Sequence, residues 1–332
     1  MILKRQVRVA SYGLHPGDTL AEAARKIILK QVARMRKHAP GTREGRDCEA
    51  LHDMRVATRR LRFALRLFAP WMPPGRADRL RTDLRRVALA LGRVRDLDVF
   101  LEGLPSLADE AGLSADQRRA LLGALRRRRG QGRSVLVRML AGRRFLALVL
   151  VLERVPLSGA DAPAREASGR MLRKAARALR AWGRRADLTR PADLHRLRIL
   201  FKRLRYTCEY FNELYGGALD GAIARFIRFQ DCLGRYQDAV IAASLLDGLP
   251  GSRKPEDGGD AGRDRDRPDL AGATAKIQEI LRAERGLQRE AFAELWVDFP
   301  LLMRAFTKLQ GLPERPGTES VPSGTDPEGR NP

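Results

Sequence analysis

Apolar residues recur every three or four positions along most of the chain, the spacing of one helix face, and no stretch shows the two-residue alternation between turn signals that marks a strand. The pattern predicts an all-α fold. Thr19-x-x-Glu22 reads as a capping box that opens a first helix running to about His38, where Pro40-Gly41 closes it. A second helix covers roughly residues 48 to 69 and ends at Pro70 and Pro73-Pro74. A third spans about Arg76 to Leu104, and Ser114-x-x-Gln117 begins a fourth. The scheme then returns over about 162 to 184, 191 to 215, 217 to 248 and 270 to 308. The Gly-, Pro- and Asp-rich run at about 250 to 270 is expected to be a mobile surface loop. These breaks divide the chain into an N-terminal extension (1–14), a first helical repeat (15–157), a second (158–307) and a disordered tail (308–332).

The recurrence is visible residue by residue. LHDMRVATRRLRFALRLF at 51 to 68 lies over LHRLRILFKRLRYTCEYF at 194 to 211 with a constant shift of 143. His52 falls on His195, Arg55 on Arg198, Arg59 on Lys202, Arg60 on Arg203, Arg62 on Arg205 and Phe68 on Phe211. Downstream, LGRVRD at 91 to 96 matches LGRYQD at 233 to 238, pairing Arg93 with Arg235 and Asp96 with Asp238. Two copies of one helical bundle about an approximate two-fold axis are the simplest architecture.

Within each repeated helix the cations share a face. His52, Arg55, Arg59, Arg62 and Arg66 follow three- and four-residue steps without a gap, as do His195, Arg198, Lys202 and Arg205. The first stripe is about 20 Å long at 1.5 Å per residue. Beside it runs an apolar stripe, Leu51, Met54, Leu61, Leu65 and Phe68 in one copy and Leu194, Leu197, Phe201, Leu204 and Phe211 in the other. Cations bordering the core side should line a groove between helices, where positive potential is focused. The leading helix of each repeat adds Lys26, Lys30, Arg34 and Lys37, and Arg173, Arg177, Arg180 and Arg184, at the same spacing.

Charge sharpens this picture. The chain has 64 Lys and Arg against 40 Asp and Glu, a net +24, together with 44% hydrophobic residues, so it combines a sizeable core with a self-repelling surface that a polyanion would relieve. The excess is not in the tail, where Arg315 and Arg330 face Glu314, Glu319, Asp326 and Glu328. Arginine's planar fork offers paired hydrogen bonds to phosphate, and lysine a flexible point charge. An Arg-rich helix face needs no partner by itself. Two such faces at equivalent positions, interrupted where Arg66 becomes Glu209, favour a binding role, with Arg60 and Arg203 beside them. Asp96 and Asp238 read either as helix-surface acids or as groups that hold neighbouring arginines in place.

Other chemistry finds little support. Cys48, Cys208 and Cys232 form no CxxC, which suits a reducing cytoplasm, and the longest apolar run, around Phe145 to Leu152, is too short for a membrane span. His52 and His195 lack the partners of a metal site, and the His52-Asp53 dyad is broken in the second copy by Arg196. They read as hydrogen-bonding groups near the start of their helices, contacting either ligand or backbone. No Walker loop, nucleophile elbow, carboxylate pair or cofactor motif stands out. Arg126 to Arg129 encircle their helix as a solvated patch, and Trp71, Trp182 and Trp296 are too scattered for a stacking platform. With 6% aromatic residues and no helix-turn-helix or RNA-binding signature, nucleic-acid binding is the runner-up reading and a metal-dependent phosphohydrolase the third.

The duplicated H-x-x-R-x-x-x-[RK]-R-L-R motif with LGRVRD and LGRYQD resembles the CHAD family, the conserved histidine α-helical domain, over about residues 15 to 307. The resemblance implies two tandem four-helix bundles related by pseudo-two-fold symmetry, a basic central groove, and non-catalytic binding of inorganic polyphosphate, often at polyphosphate granules. It places the contacts on the matched basic positions. Family members are often fused to a CYTH triphosphatase domain, but this sequence has no ExExK, so that activity is not carried over.

Overall fold

The computed structural model describes residues 11–46, 48–249 and 269–309. The expected loop core and tail lie outside them. Among the described residues there are ten α-helices and no strand. α1 (Leu20–Glu44), α2 (Cys48–Leu67), α3 (Arg76–Glu110), α4 (Ala115–Ala141) and α5 (Arg143–Glu153) come from the first half of the chain. α6 (Ala164–Gly183), α7 (Pro191–Phe211), α8 (Asp220–Asp247), α9 (Leu270–Trp296) and α10 (Phe299–Leu309) come from the second. No helix among the described residues is long and apolar enough to cross a membrane.

Both capping boxes form. Thr19 Oγ1 accepts from the Glu22 amide while Glu22 returns a bond to the Thr19 amide at 2.8 Å, and Ser114 and Gln117 repeat the exchange at 3.2 and 3.0 Å. The helix ends depart from expectation. Pro40 lies inside α1, which continues to Glu44. Its last turn is held from outside: Arg133 on α4 donates to the carbonyls of Thr42 and Arg43, and the left-handed Gly45 closes the helix on Gly41. Pro105 likewise sits within α3, because Leu104 and Ala108 on either side of it are buried in one cluster that rewards continuing the helix. Each repeat therefore contributes five helices instead of four, the last one broken off at Gly142 and at Val297-Asp298.

The core sits in three clusters. One gathers α1, α2, the first half of α3, and α5, and another gathers α6, α7, the first half of α8, and α10. The third belongs to neither repeat alone: Leu97, Phe100 and Leu104 of α3 and Leu121 and Leu125 of α4 pack with Ala242 and Leu246 of α8 and Ile277 and Leu281 of α9. α3 is about 50 Å long at 1.5 Å per residue, so its two halves reach different cores. The joined hairpins hold the halves in one orientation, and the candidate site lies where they meet. Arg128 and Arg129, read from sequence as solvated, serve this junction: Arg128 donates to the Leu245 carbonyl at 2.8 Å and Arg129 pairs with Asp98.

Candidate anion-binding site

α2 and α7 carry the repeated motif, and they meet around Tyr206 and Tyr210, which pack against Phe63 with ring centroids 5.7 Å apart. The guanidiniums of Arg59, Arg60 and Arg205 stand 5.9, 5.3 and 5.0 Å from the Tyr206 ring. Burial alone would push the Tyr206 hydroxyl up, but these three cations outweigh it and hold the group below its ordinary range. The crossing is also locked by ions. Half-buried Arg60 and buried Glu209 pair at 2.7 Å, and Tyr210 donates to the Arg60 carbonyl at 2.7 Å. Glu209, the residue that interrupts the second cationic stripe, is therefore the counter-charge for Arg60 of the first repeat, and it also meets Arg205 on its own helix at 3.5 Å.

On one side of the crossing lies a cavity of about 860 Å³, walled by α2, α3, α7 and α8 and bordered by α9. Seven cationic side chains line it, Arg55, Arg59, Arg95, Arg198, Lys202, Arg205 and Arg235, against four carboxylates, Asp96, Asp231, Asp238 and Glu284. Arg55 donates to Asp96 at 2.6 Å. The other cations press on one another. Burial, then the charges of Arg59, Arg198, Arg205 and Arg55, pushes the Lys202 ammonium down to about 6. Burial also lowers Arg198, with Arg59 and Arg55 adding to the shift and Asp238 opposing it. Asp238 is raised by burial and by Asp96, against the pull of Arg198. His52 at the rim is lowered by burial and by Arg95.

The structure brings together part of what the sequence pointed to. His52, Arg55, Arg59, Arg198, Lys202 and Arg205 line the cavity, with Asp96 and Asp238 among them. Arg62, Arg66 and Arg203 do not; they interact with Arg81, Arg85 and Arg196 in a separate cluster. The expected continuous stripe is thus divided, because α7 crosses α2 partway along it. Arg60 is withdrawn into the Glu209 pair, and His195, exposed, meets the Gln237 side chain at 3.1 Å. The leading-helix cations stay away from the cavity: Lys26 pairs with Asp18 at 2.7 Å, Lys30 and Lys37 are exposed, Arg34 is half-buried, and on α6 Arg177 is exposed, Arg173 half-buried, and Arg180 donates to Thr307 at 3.2 Å. Asp53 meets His38 of α1 at 3.5 Å, whereas its neighbour His52 lines the cavity.

Sequence reasoning missed Arg95, Asp231, Arg235 and Glu284. The repeated Arg93/Arg235 and Asp96/Asp238 pairs signalled α3 and α8, and Asp231, Arg235 and Asp238 lie at four- and three-residue steps on one face of α8. Glu284 on α9 had no such signal.

The sequence profile of the CHAD domain matches residues 26–247, most of the chain and all of the cavity except its α9 border. The chain belongs to the CHAD domain family. Among solved structures, the CHAD domain from the plant Ricinus communis superposes with a TM-score of 0.63 at 26% identity, covering 92% of this chain and 96% of the plant domain. PptA from Streptomyces chartreusis shares the fold, with a TM-score of 0.60 at 22% identity over 84% of this chain and 99% of PptA. Two uncharacterized proteins from strains of Mycobacterium tuberculosis are 30% identical over 210 residues, 60% of this chain but 40% of their own length. The CHAD domain described here thus spans less than half of the curated relatives it matches.

Proposed function

We propose that this CHAD domain binds inorganic polyphosphate without chemistry of its own, the phosphate chain running through the cavity between α2, α3, α7 and α8. The observation that carries the reading is the approach of equivalent cations from the two repeats: Arg59 is the foremost charge acting on Lys202, ahead of Arg198, Arg205 and Arg55. Cations held together at low exposure are mutually destabilising until an anion arrives, and a string of phosphates supplies one negative charge per unit along the row. Asp96 orients Arg55, so the fork is positioned before the ligand comes. Through such binding the protein would associate with polyphosphate granules.

Competition decides between this and nucleic-acid binding. Long-chain polyphosphate should displace duplex DNA at equal phosphate concentration, with affinity falling steeply as salt rises. Replacing Arg55, Arg59, Arg198 and Lys202 together by Ala should reduce affinity by about a hundredfold or more, flatten the salt slope by up to about four contacts, and leave the helical spectrum intact. DNA that outcompetes polyphosphate would transfer the site to the nucleic-acid reading, and phosphate release by the purified protein above background would overturn the non-catalytic one.

A further inference from the structure

A second recess lies between the C-terminal end of α2, the turn after it, α6 and α7. Its volume is about 430 Å³, within the range of small-ligand sites. The walls are Phe63, Leu67, Trp71, Met171, Ala175 and Leu200, and no carboxylate lines it. Its one hydroxyl, on Thr207, donates to the Arg203 carbonyl at 2.8 Å. Apart from its cations and the Trp71 indole, the walls offer no free side-chain hydrogen-bond donor.

Its charge is as one-sided as its walls are apolar. Arg66 and Arg203 line the recess from opposite helices, with Lys174 and with Arg170, which is already engaged by Glu166. Arg81 and Arg196 act on both Arg66 and Arg203, and among the described residues no carboxylate comes within ion-pair distance of Arg66, Arg203 or Arg196. The central cavity, by contrast, interleaves its cations with four carboxylates. Several guanidiniums around one position suit a phosphate, whose three terminal oxygens accept from more than one fork, better than a carboxylate with two.

We infer that this recess binds a single-chain amphiphile with a phosphate head, its alkyl chain laid along Phe63, Leu67, Met171, Ala175 and Leu200 and its head between Arg66 and Arg203. The inference uses a different place in the fold from the polyphosphate reading and does not depend on it.

Isothermal titration of the full chain with dodecyl phosphate, kept below its micelle concentration, tests the inference. One molecule should bind per chain. Affinity should rise about fourfold per methylene from octyl to dodecyl phosphate, the increment for burying one CH₂. Inorganic phosphate and dodecyltrimethylammonium should each bind at least about a hundredfold more weakly. Ala178→Phe, an exposed α6 position on the recess, should weaken dodecyl phosphate by about tenfold or more while polyphosphate affinity and thermal melting stay unchanged. Arg66→Ala with Arg203→Ala should weaken it by a similar factor, with circular dichroism confirming the fold. The inference is overturned if inorganic phosphate binds as well as the alkyl phosphate, if the alkylammonium binds equally, if only phosphatidic-acid vesicles bind, or if Ala178→Phe leaves dodecyl phosphate affinity intact or weakens polyphosphate alongside it. Loss of polyphosphate binding in the wild-type chain would sink the earlier proposal and leave this one standing.

Discussion

Arg60 and Arg203 stand at the same position of the two repeats, each followed by Leu-Arg, and have opposite surroundings. Arg60 is half-buried against Glu209, with Tyr12 and Tyr210 beside it; burial pulls its guanidinium down, but Glu209 and the tyrosines more than reverse that and raise it. Arg203 borders an apolar recess with no acid at hand, and burial together with Arg66, Arg196 and Arg81 lowers it. The repeats supply equivalent helix faces, and Glu209, where the first repeat has Arg66, pairs with Arg60 in a seam while Arg203 is left at a cationic mouth. A repeated residue type therefore reports the helix face it lies on, and the partner that meets it is set elsewhere.

The largest test of this contrast removes the seam's acid. Glu209→Ala leaves Arg60 and Arg205, both largely enclosed, without their shared counter-charge and should cost about 3–5 kcal/mol in urea unfolding. Arg60→Met combined with Glu209→Leu should recover part of that loss, since it removes the Arg60 charge but leaves Arg205 without its 3.5 Å contact to Glu209.

Next in size is the pH dependence of polyphosphate binding. Lys202 is held down to about 6 in the free protein, and a bound phosphate chain favours its protonated form and raises it. Between about pH 6 and the raised value, binding takes up a proton, so affinity should fall by up to about tenfold per pH unit as pH rises. Lys202→Met should flatten that slope. The same depressed group makes the unfolded chain the stronger proton binder above about pH 6, so the free protein's stability should rise with pH from about 6 toward the ordinary lysine value of 10.5, less steeply in Lys202→Met.

Smaller still is Tyr12→Phe. The Tyr12 hydroxyl accepts from Gln31 at 3.0 Å and from Arg60 at 3.3 Å, and its loss should cost about 1 kcal/mol in the same unfolding experiment. The smallest effect closes the comparison: Arg203→Gln, the counterpart of an Arg60 change, should shift stability by less than about 0.5 kcal/mol, because it breaks no ion pair and relieves repulsion with Arg66.

Much of this molecule was legible before any coordinates. The helices, the Thr19 and Ser114 capping boxes, and the facing of cations beside apolar stripes follow from hydrogen bonds and side-chain spacing within a few residues. Arg55, Arg59, Arg198 and Lys202 were found because their repetition at a fixed shift marked one helix face twice. The ends at Pro40 and Pro105 were misjudged, since a proline's local cost is visible in sequence while Arg133 or a buried Leu104 that offsets it lies far away along the chain.

Which cations share a space was settled by tertiary structure alone. The contact of α7 with α2 divides one cationic stripe between two recesses. The four-helix cluster of α3, α4, α8 and α9 brings Arg95, Asp231, Arg235 and Glu284 to the first of them. Sequence determined the faces because helix geometry acts within a turn or two; only packing over a hundred residues and more decided what each face would meet, because burial and Coulomb interactions depend on distance in space and not along the chain.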